Sequence, residues 1–381
     1  MASRRIQLTY NLPAGDDFTV YVRTGDLMQQ WGVRSLPATI DDVFETADAH
    51  QRVVGRGLAC RCYRGGYYSI SIRAGEARHR SKNKPLTGES ATDNPLPDTS
   101  WDLAADPKNK SRLDLGHVVT SLNDTVWSLE GHNDGALIVF GRTNSGKSKI
   151  ARALTAKYLR HEASRGARNR NVHVVTVEDP VEEFLRPRDQ KDSHPTPELL
   201  ATSRIDYTPR ELGRDVRTVR NAMRDALRQT PDAVYVGEVR SDRDWRDVFH
   251  FAGTGHLLVA TAHASSLVEG MRQVMRAMRV TTKAERGAVA RRLLSVVHLR
   301  RFPHENYTAQ IPTVWRRCAA AVSTLVTEGF GSVLPMNRND EDVACIGRRW
   351  YARSLLTAGN APENAKNAIE QAALREDLQG L

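Results

Sequence analysis

The octet GRTNSGKS, residues 141–148, constrains this chain more than any other stretch. It follows the apolar run Ala136 to Phe140 and precedes a helical pattern over Lys149 to Leu159, so it predicts strand, tight loop and helix. Such a loop binds phosphate for physical reasons. Gly141 and Gly146 let the backbone turn its N–H groups inward as an anion nest, and the helix behind presents its positive dipole end. Arg142, Thr143, Asn144 and Ser145 add main-chain amides to that nest. Lys147 brings a point charge to the β and γ phosphates, and the Ser148 hydroxyl is placed to ligate Mg²⁺.

Further along, short apolar runs alternate with helical periodicity. Val172 to Val177, Ala233 to Val236 and Leu257 to Thr261 are strand-like, while Leu115, Val118, Val119, Leu122, Val126 and Leu129 repeat at helical spacing. This pattern predicts an α/β fold around a mainly parallel sheet buried on both faces. Ligands of such sheets gather at the carboxyl ends of strands.

Two of those ends are acidic. In VVTVEDPVEEF, Glu178 and Asp179 follow the strand and are placed to serve the Mg²⁺ shell, whereas Glu182 and Glu183 read as first-turn or surface acids. In TPDAVYVGEVRSD the strand closes on Gly237-Glu238 instead of an aspartate, which makes Glu238 the first choice for activating water. A third end, GTGHLLVATAHASS, carries His256 before its strand and His263 after it. The small neighbours Ala262, Ala264 and Ser265 let His263 approach a phosphate or a catalytic carboxylate.

The first 80 residues differ in character. Phe18 to Arg23 alternates like a strand, Leu58 to Tyr63 and Tyr67 to Arg73 flank Gly65-Gly66 as a hairpin, and Ile40 to His50 has helical spacing. A small α+β domain is expected over 1–80. Residues 81–111, punctuated by Pro85, Pro95, Pro97 and Pro107, read as a polar linker. The α/β domain then fills 112–381, with a helical region from about residue 283.

Composition narrows the function classes. With 40% hydrophobic and 26% charged residues this is the balance of a folded chain. No apolar run approaches the roughly 18 residues of a membrane helix, and MASRRIQLTYNLP lacks the apolar core of a secretory leader. Cys60, Cys62, Cys318 and Cys345 form no CxxC pair, so reduced thiols are expected in place of a zinc knuckle. The formal charge of +10 favours anionic partners. Aromatics are only 6% and do not interleave with arginines, which disfavours nucleic acid among them.

Four boxes in order over residues 134–266 resemble the secretion-superfamily ATPases, the hexameric motors of type II and type IV secretion and type IV pili. GRTNSGKS stands as Walker A, TVEDPVEEF as the acidic box, ALRQTPDAVYVGEVRSD as Walker B and GTGHLLVATAHASS as the histidine box. The resemblance implies a RecA-like P-loop ATPase domain behind a small N-terminal α+β (PAS-like) domain, with ATP and Mg²⁺ as cofactors. It also implies a cytoplasmic homo-hexamer, peripheral to the inner membrane, that works on a secretion or pilus platform and its coupling proteins. By position it makes Glu178 and Asp179 the acidic-box residues, Glu238 the catalytic glutamate and His263 the histidine-box residue. Arg61, Arg64 and Arg73 are the nearest candidates for arginines that reach the nucleotide from the N-terminal domain.

The departures from the family pattern steer the reading. The tetracysteine zinc module of assembly-type members is missing, an AIRNLI-like segment is missing, and VVHLRRF replaces a Gln-rich motif. A conjugative or effector-secreting type IV machine is favoured; pilus retraction, a nucleic-acid translocase and a nucleotide-gated scaffold are the alternatives.

Overall fold

The computed structural model describes residues 18–24, 27–32, 59–61, 69–74, 99–103, 112–127, 133–164, 172–183, 185, 205–213, 215–329 and 345–379. Four strands come first: β1 (Phe18–Thr24), β2 (Leu27–Gly32), β3 (Ala59–Arg61) and β4 (Ser69–Ala74). Helix α1 (Leu115–Asn123) leads to β5 (Gly135–Gly141), α2 (Lys147–Ser164), β6 (Val172–Glu178), β7 (Ile205–Glu211) and α3 (Val219–Gln229). Next come β8 (Ala233–Val236), α4 (Asp242–Ala252), β9 (Leu257–Ala262), α5 (Leu267–Ala277) and α6 (Lys283–Arg292). The last elements are β10 (Leu293–His304), β11 (Tyr307–Arg316), α7 (Ala319–Thr327), β12 (Cys345–Ile346), α8 (Arg348–Ala358) and α9 (Glu363–Gln379).

The chain forms two compact units, residues 1–100 with 158–234, and residues 101–157 with 235–381. In the first, β1 to β4 make an antiparallel sheet in the order β2-β1-β4-β3. Cys60 pairs with Ile70 there, as the strands around Gly65-Gly66 should; that turn and the helix expected over 40–50 lie outside the described residues. The same unit holds the parallel pair β6 and β7. The buried Asp232 carboxylate accepts the His173 N–H at 2.8 Å, and the His173 ring meets Thr208 Oγ1 at 3.0 Å, so these polar groups enter the apolar layer with partners.

In the second unit β5 is central. It runs parallel to β9 on one side and to β10 on the other, and β10, β11 and β12 continue antiparallel. Every residue of β5 and β9 is buried, which is why GALIVFG and LLVATA show no alternation. Phe140 is in register with Ala262 on β9 and with His298 on β10. Adjacent strands lie about 4.8 Å apart. The carboxyl end of β5 therefore has His263 beginning on one flank and Leu299 on the other. A buried hydrogen bond of 2.7 Å between Thr125 Oγ1 and the Tyr351 hydroxyl ties α8 to the turn after α1.

One expectation needs correction. The region from residue 283 is not helical throughout, because the long hairpin of β10 and β11 stands between α6 and α7. Leu293 to Leu299 is buried without a break, Ser295 and His298 included, and a run buried on both faces carries no period that separates a strand from a helix. The expected strands and the helix after the phosphate loop are present, the latter as α2 starting at Lys147.

Candidate active site

The loop between β5 and α2 has the geometry of an anion cradle. Gly146 takes φ of +87° and Asn144 of +61°, the left-handed region that turns successive N–H groups to one side. Gly141 sits in a closed corner, where a Cβ would meet Ser145 Oγ at 2.5 Å and the Leu299 carbonyl oxygen at 2.8 Å. The Ser145 N–H bonds to the Arg142 carbonyl at 3.2 Å, and the Ile150 N–H to the Gly146 carbonyl at 3.0 Å, which starts the helix. Lys147 is buried, with Nζ 3.4 Å from the Arg142 carbonyl, so its cation folds back over the loop.

Ser145 Oγ is buried without a hydrogen-bond partner, and a buried hydroxyl left so is costly. An orphaned donor, a buried ammonium and a corner that excludes a Cβ together fit a phosphate group. Among the described residues no group of three or more His, Cys, Asp or Glu side chains could hold a metal ion. The donors fit Mg²⁺ held by Ser148 Oγ and phosphate oxygens, since that ion keeps several waters and takes few protein ligands.

The second part of the site hangs on the ends of β8 and β9. The Val239 N–H bonds to the Thr261 carbonyl at 2.8 Å, and Thr261 Oγ1 donates to the Gly237 carbonyl, so the peptides on both sides of Glu238 are fastened to β9. Glu238 is half-buried. Its Oε1 lies 2.6 Å from His263 Nε2 and its Oε2 accepts from Arg240 Nε at 2.7 Å. Both carboxylate oxygens therefore have a nitrogen partner, and the head group has one orientation.

The stretch after His263 is braced as well. Ser266 caps α5 by accepting the Glu269 N–H at 3.1 Å, while Glu269 Oε2 accepts from the Ser265 amide at 2.6 Å and from its hydroxyl. The Ser265 hydroxyl, foremost, and its amide hold the Glu269 carboxyl below its ordinary range, and the Arg142 charge acts in the same direction. On the far flank of β5 the buried His298 ring contacts the Ala264 carbonyl at 3.2 Å and an Arg348 guanidinium nitrogen at 2.8 Å.

The second unit thus brings together residues 141–148, Glu238 and His263. Glu178, the buried last residue of β6, and the exposed Asp179 belong to the first unit. Glu182 and Glu183 stand in irregular chain and not in a helical turn. His256 precedes β9, at the end opposite His263, and meets Thr254 Oγ1 at 3.0 Å. Arg61 and Arg73 fall in β3 and β4, but their side chains, like Arg64, lie outside the described residues. Arg240, His298 and Arg348 were not singled out by sequence reasoning. An arginine two residues after Glu238 points to the first, and a lone histidine inside a mostly apolar strand points to the second; nothing local in the sequence marks Arg348.

A family model described as type II/IV secretion system protein matches residues 108–324. The chain is 31% identical over 142 residues to the uncharacterized protein YggR of Escherichia coli (strain K12), covering 37% of this chain and 36% of that one. It is 31% identical over 143 residues to the type IV pilus ATPase PilU of Pseudomonas aeruginosa, covering 37% and 31%. With the type IV pilus retractation ATPase PilT of the same organism it shares 32% over 161 residues, covering 42% and 39%. The matched stretch spans about a third of the length of these curated relatives. The X-ray structure of the Legionella pneumophila ATPase DotB aligns over 93% of this chain and 92% of its own, at a TM-score of 0.50 and 16% identity. That likeness shows the fold, the RecA-like α/β arrangement expected from the motifs.

Proposed function

The chain belongs to the type II/IV secretion system protein family, and we propose that it is an ATP-hydrolysing motor of a type IV secretion or conjugative machine. The observation that carries this reading is the 2.6 Å pair of Glu238 and His263 on the strand edge next to the phosphate loop.

In this reading the amides of residues 141–148 and the Lys147 ammonium bind the β and γ phosphates of ATP. Ser148 Oγ would hold Mg²⁺ beside the phosphates, where the ion would supply charge neutralisation. Glu238 orients a water and takes its proton as the water oxygen bonds to the γ phosphorus and the bridge to the β phosphate breaks. His263 and Arg240 keep the carboxylate aimed at that water. The working form is a homo-hexamer docked at the inner membrane, and alternation between nucleotide states moves a partner platform. Pilus retraction is the second reading, favoured by the 32% identity to the retractation ATPase PilT.

ATP turnover by purified protein tests this. Lys147→Ala is expected to lose nucleotide binding and turnover together, and Glu238→Gln to bind nucleotide without hydrolysing it. Turnover at the parent rate in Lys147→Ala would sink the assignment of the loop. Stimulation by single-stranded DNA with a steep salt dependence would favour nucleic-acid translocation instead. Gene neighbours separate the machines, since conjugation genes and pilus genes make opposite predictions.

A further inference from the structure

We propose that His298 and Arg348 are positioning residues, which transmit the placement of the last helix, α9, to the His263–Glu238 pair. The inference rests on the proposed role of that pair in hydrolysis, but its wiring is read from other residues.

His298 lies on β10 in register with Phe140, the residue before the phosphate loop, and is buried. Its Nδ1 is 2.8 Å from Arg348 Nη2 and its Nε2 is 3.2 Å from the Ala264 carbonyl oxygen. A guanidinium only donates, so Nδ1 must accept and the proton resides on Nε2, from which it is given to Ala264. One tautomer and one ring orientation satisfy both partners. Ala264 is the residue bonded to His263, so the ring grips the peptide chain one step from the group that holds Glu238.

Arg348 is itself anchored away from the site. It donates to the Ile311 carbonyl at 2.7 Å, and its Nε lies 3.2 Å from Glu376 Oε2 on α9. The other Glu376 oxygen takes Arg300 Nε at 2.6 Å. A continuous series of polar contacts therefore runs from Glu376 through Arg348 and His298 to the Ala264 carbonyl. Burying an arginine and an imidazole costs more than burying leucine, and Leu293 to Leu299 is otherwise almost wholly apolar. Packing alone would be served by leucine at 298. The polar side chain specifies where the 262–266 segment sits.

The test compares His298→Leu with His298→Gln. Leucine keeps the bulk and loses both contacts, whereas the glutamine amide can donate to Ala264 and accept from Arg348. We expect His298→Leu to lower kcat by about ten- to hundredfold at unchanged nucleotide affinity, as small misplacements near reacting groups do. His298→Gln is expected to keep most of the turnover that leucine loses. Arg348→Lys, which retains the buried charge without the fork, gives the same loss if the leucine variant fails to fold. Nitrogen–proton NMR correlations of the His263 ring supply a readout independent of activity: they should shift in His298→Leu and Arg348→Lys and stay in place in His298→Gln. A parent that hydrolyses no ATP, with the His263 signals moving as stated, ends the motor reading and leaves the wiring. Unmoved His263 signals, or full turnover in His298→Leu, end the wiring and leave the motor reading.

Discussion

Gly270 and Phe140 are packed so closely that a Cβ on the glycine would stand 2.6 Å from Cδ2 of the ring. Helix α5 can rest on β5 at this depth only because position 270 has no side chain. The ring is also fixed from another direction by Trp245, at a centroid distance of 5.9 Å. Gly270→Ala must push the helix off a ring that cannot yield, an overpacking that costs about 1–3 kcal/mol and outweighs the ~1 kcal/mol helix-propensity gain of alanine. The expected result is a lower urea midpoint at unchanged slope. A midpoint at or above the parent value shows that the helix relaxes freely.

Glu238 has two nitrogen partners of unequal setting, and the inequality predicts an order of effects. The Arg240 side chain is 60% exposed, and exposed pairs contribute at most about 1 kcal/mol, so Arg240→Ala should reduce kcat by no more than about fivefold. The His263 side chain is itself 51% exposed, but its ring hangs by a single methylene from the end of the buried strand β9, whereas Arg240 reaches Glu238 on a long flexible stem, so loss of the histidine frees the carboxylate to swing. His263→Ala should therefore reduce kcat by about ten- to hundredfold, with nucleotide affinity retained. Steady-state turnover of the two variants checks the order; equal losses would mean that neither partner aims the carboxylate.

Gly141→Ala tests the cradle itself. The added methyl would press on Ser145 Oγ, which can rotate, and on the Leu299 carbonyl at 2.8 Å, which belongs to the backbone of β10 and cannot. The loop has to shift, and the amides lose their common direction. Nucleotide affinity, read with a fluorescent ATP analogue, is expected to fall by about ten- to hundredfold, equivalent to roughly 1–3 kcal/mol, while far-ultraviolet dichroism stays unchanged.

What was legible in the sequence divides along a physical line. The loop at 141–148, Glu238 and His263 could be read because each stands at a fixed offset from a short apolar strand, and offsets survive without knowledge of the fold. For Glu182 and Glu183 the helical-turn half of the reading fails and the surface half stands for Glu182, which is exposed in irregular chain, because acidic residues after a strand suit both settings. The β10–β11 hairpin was hidden by the uninterrupted burial of Leu293 to Leu299, where period 2 and period 3.6 vanish together. The contact of His298 with Arg348 was invisible for a different reason. Its members are 50 positions apart, and only the return of α8 against β10 and β11 brings them together.

The same histidine gives the fold a pH dependence whose sign can be worked out. Desolvation first, and then the charge of Arg348, push the His298 imidazole down from 6.5 to about 3; Arg300 and Arg142 add in that direction and the Ala264 carbonyl opposes them. Beyond Arg348 stands Glu376, whose carboxylate pairs with both Arg348 and Arg300. Below pH 6.5 the unfolded chain binds a proton at this position and the folded chain does not, so stability declines as pH falls through the window from 6.5 toward 3. The slope approaches about 1.4 kcal/mol per pH unit, or roughly 2 kcal/mol between pH 6.5 and 5. His298→Gln carries no proton to titrate, while every other histidine is common to both proteins. Urea unfolding at pH 7, 6 and 5 should therefore show the parent losing about 2 kcal/mol more than the glutamine variant over that range. Parallel curves for the two proteins would mean that the ring takes up its proton inside the fold, and that the Arg348 fork does not hold it neutral.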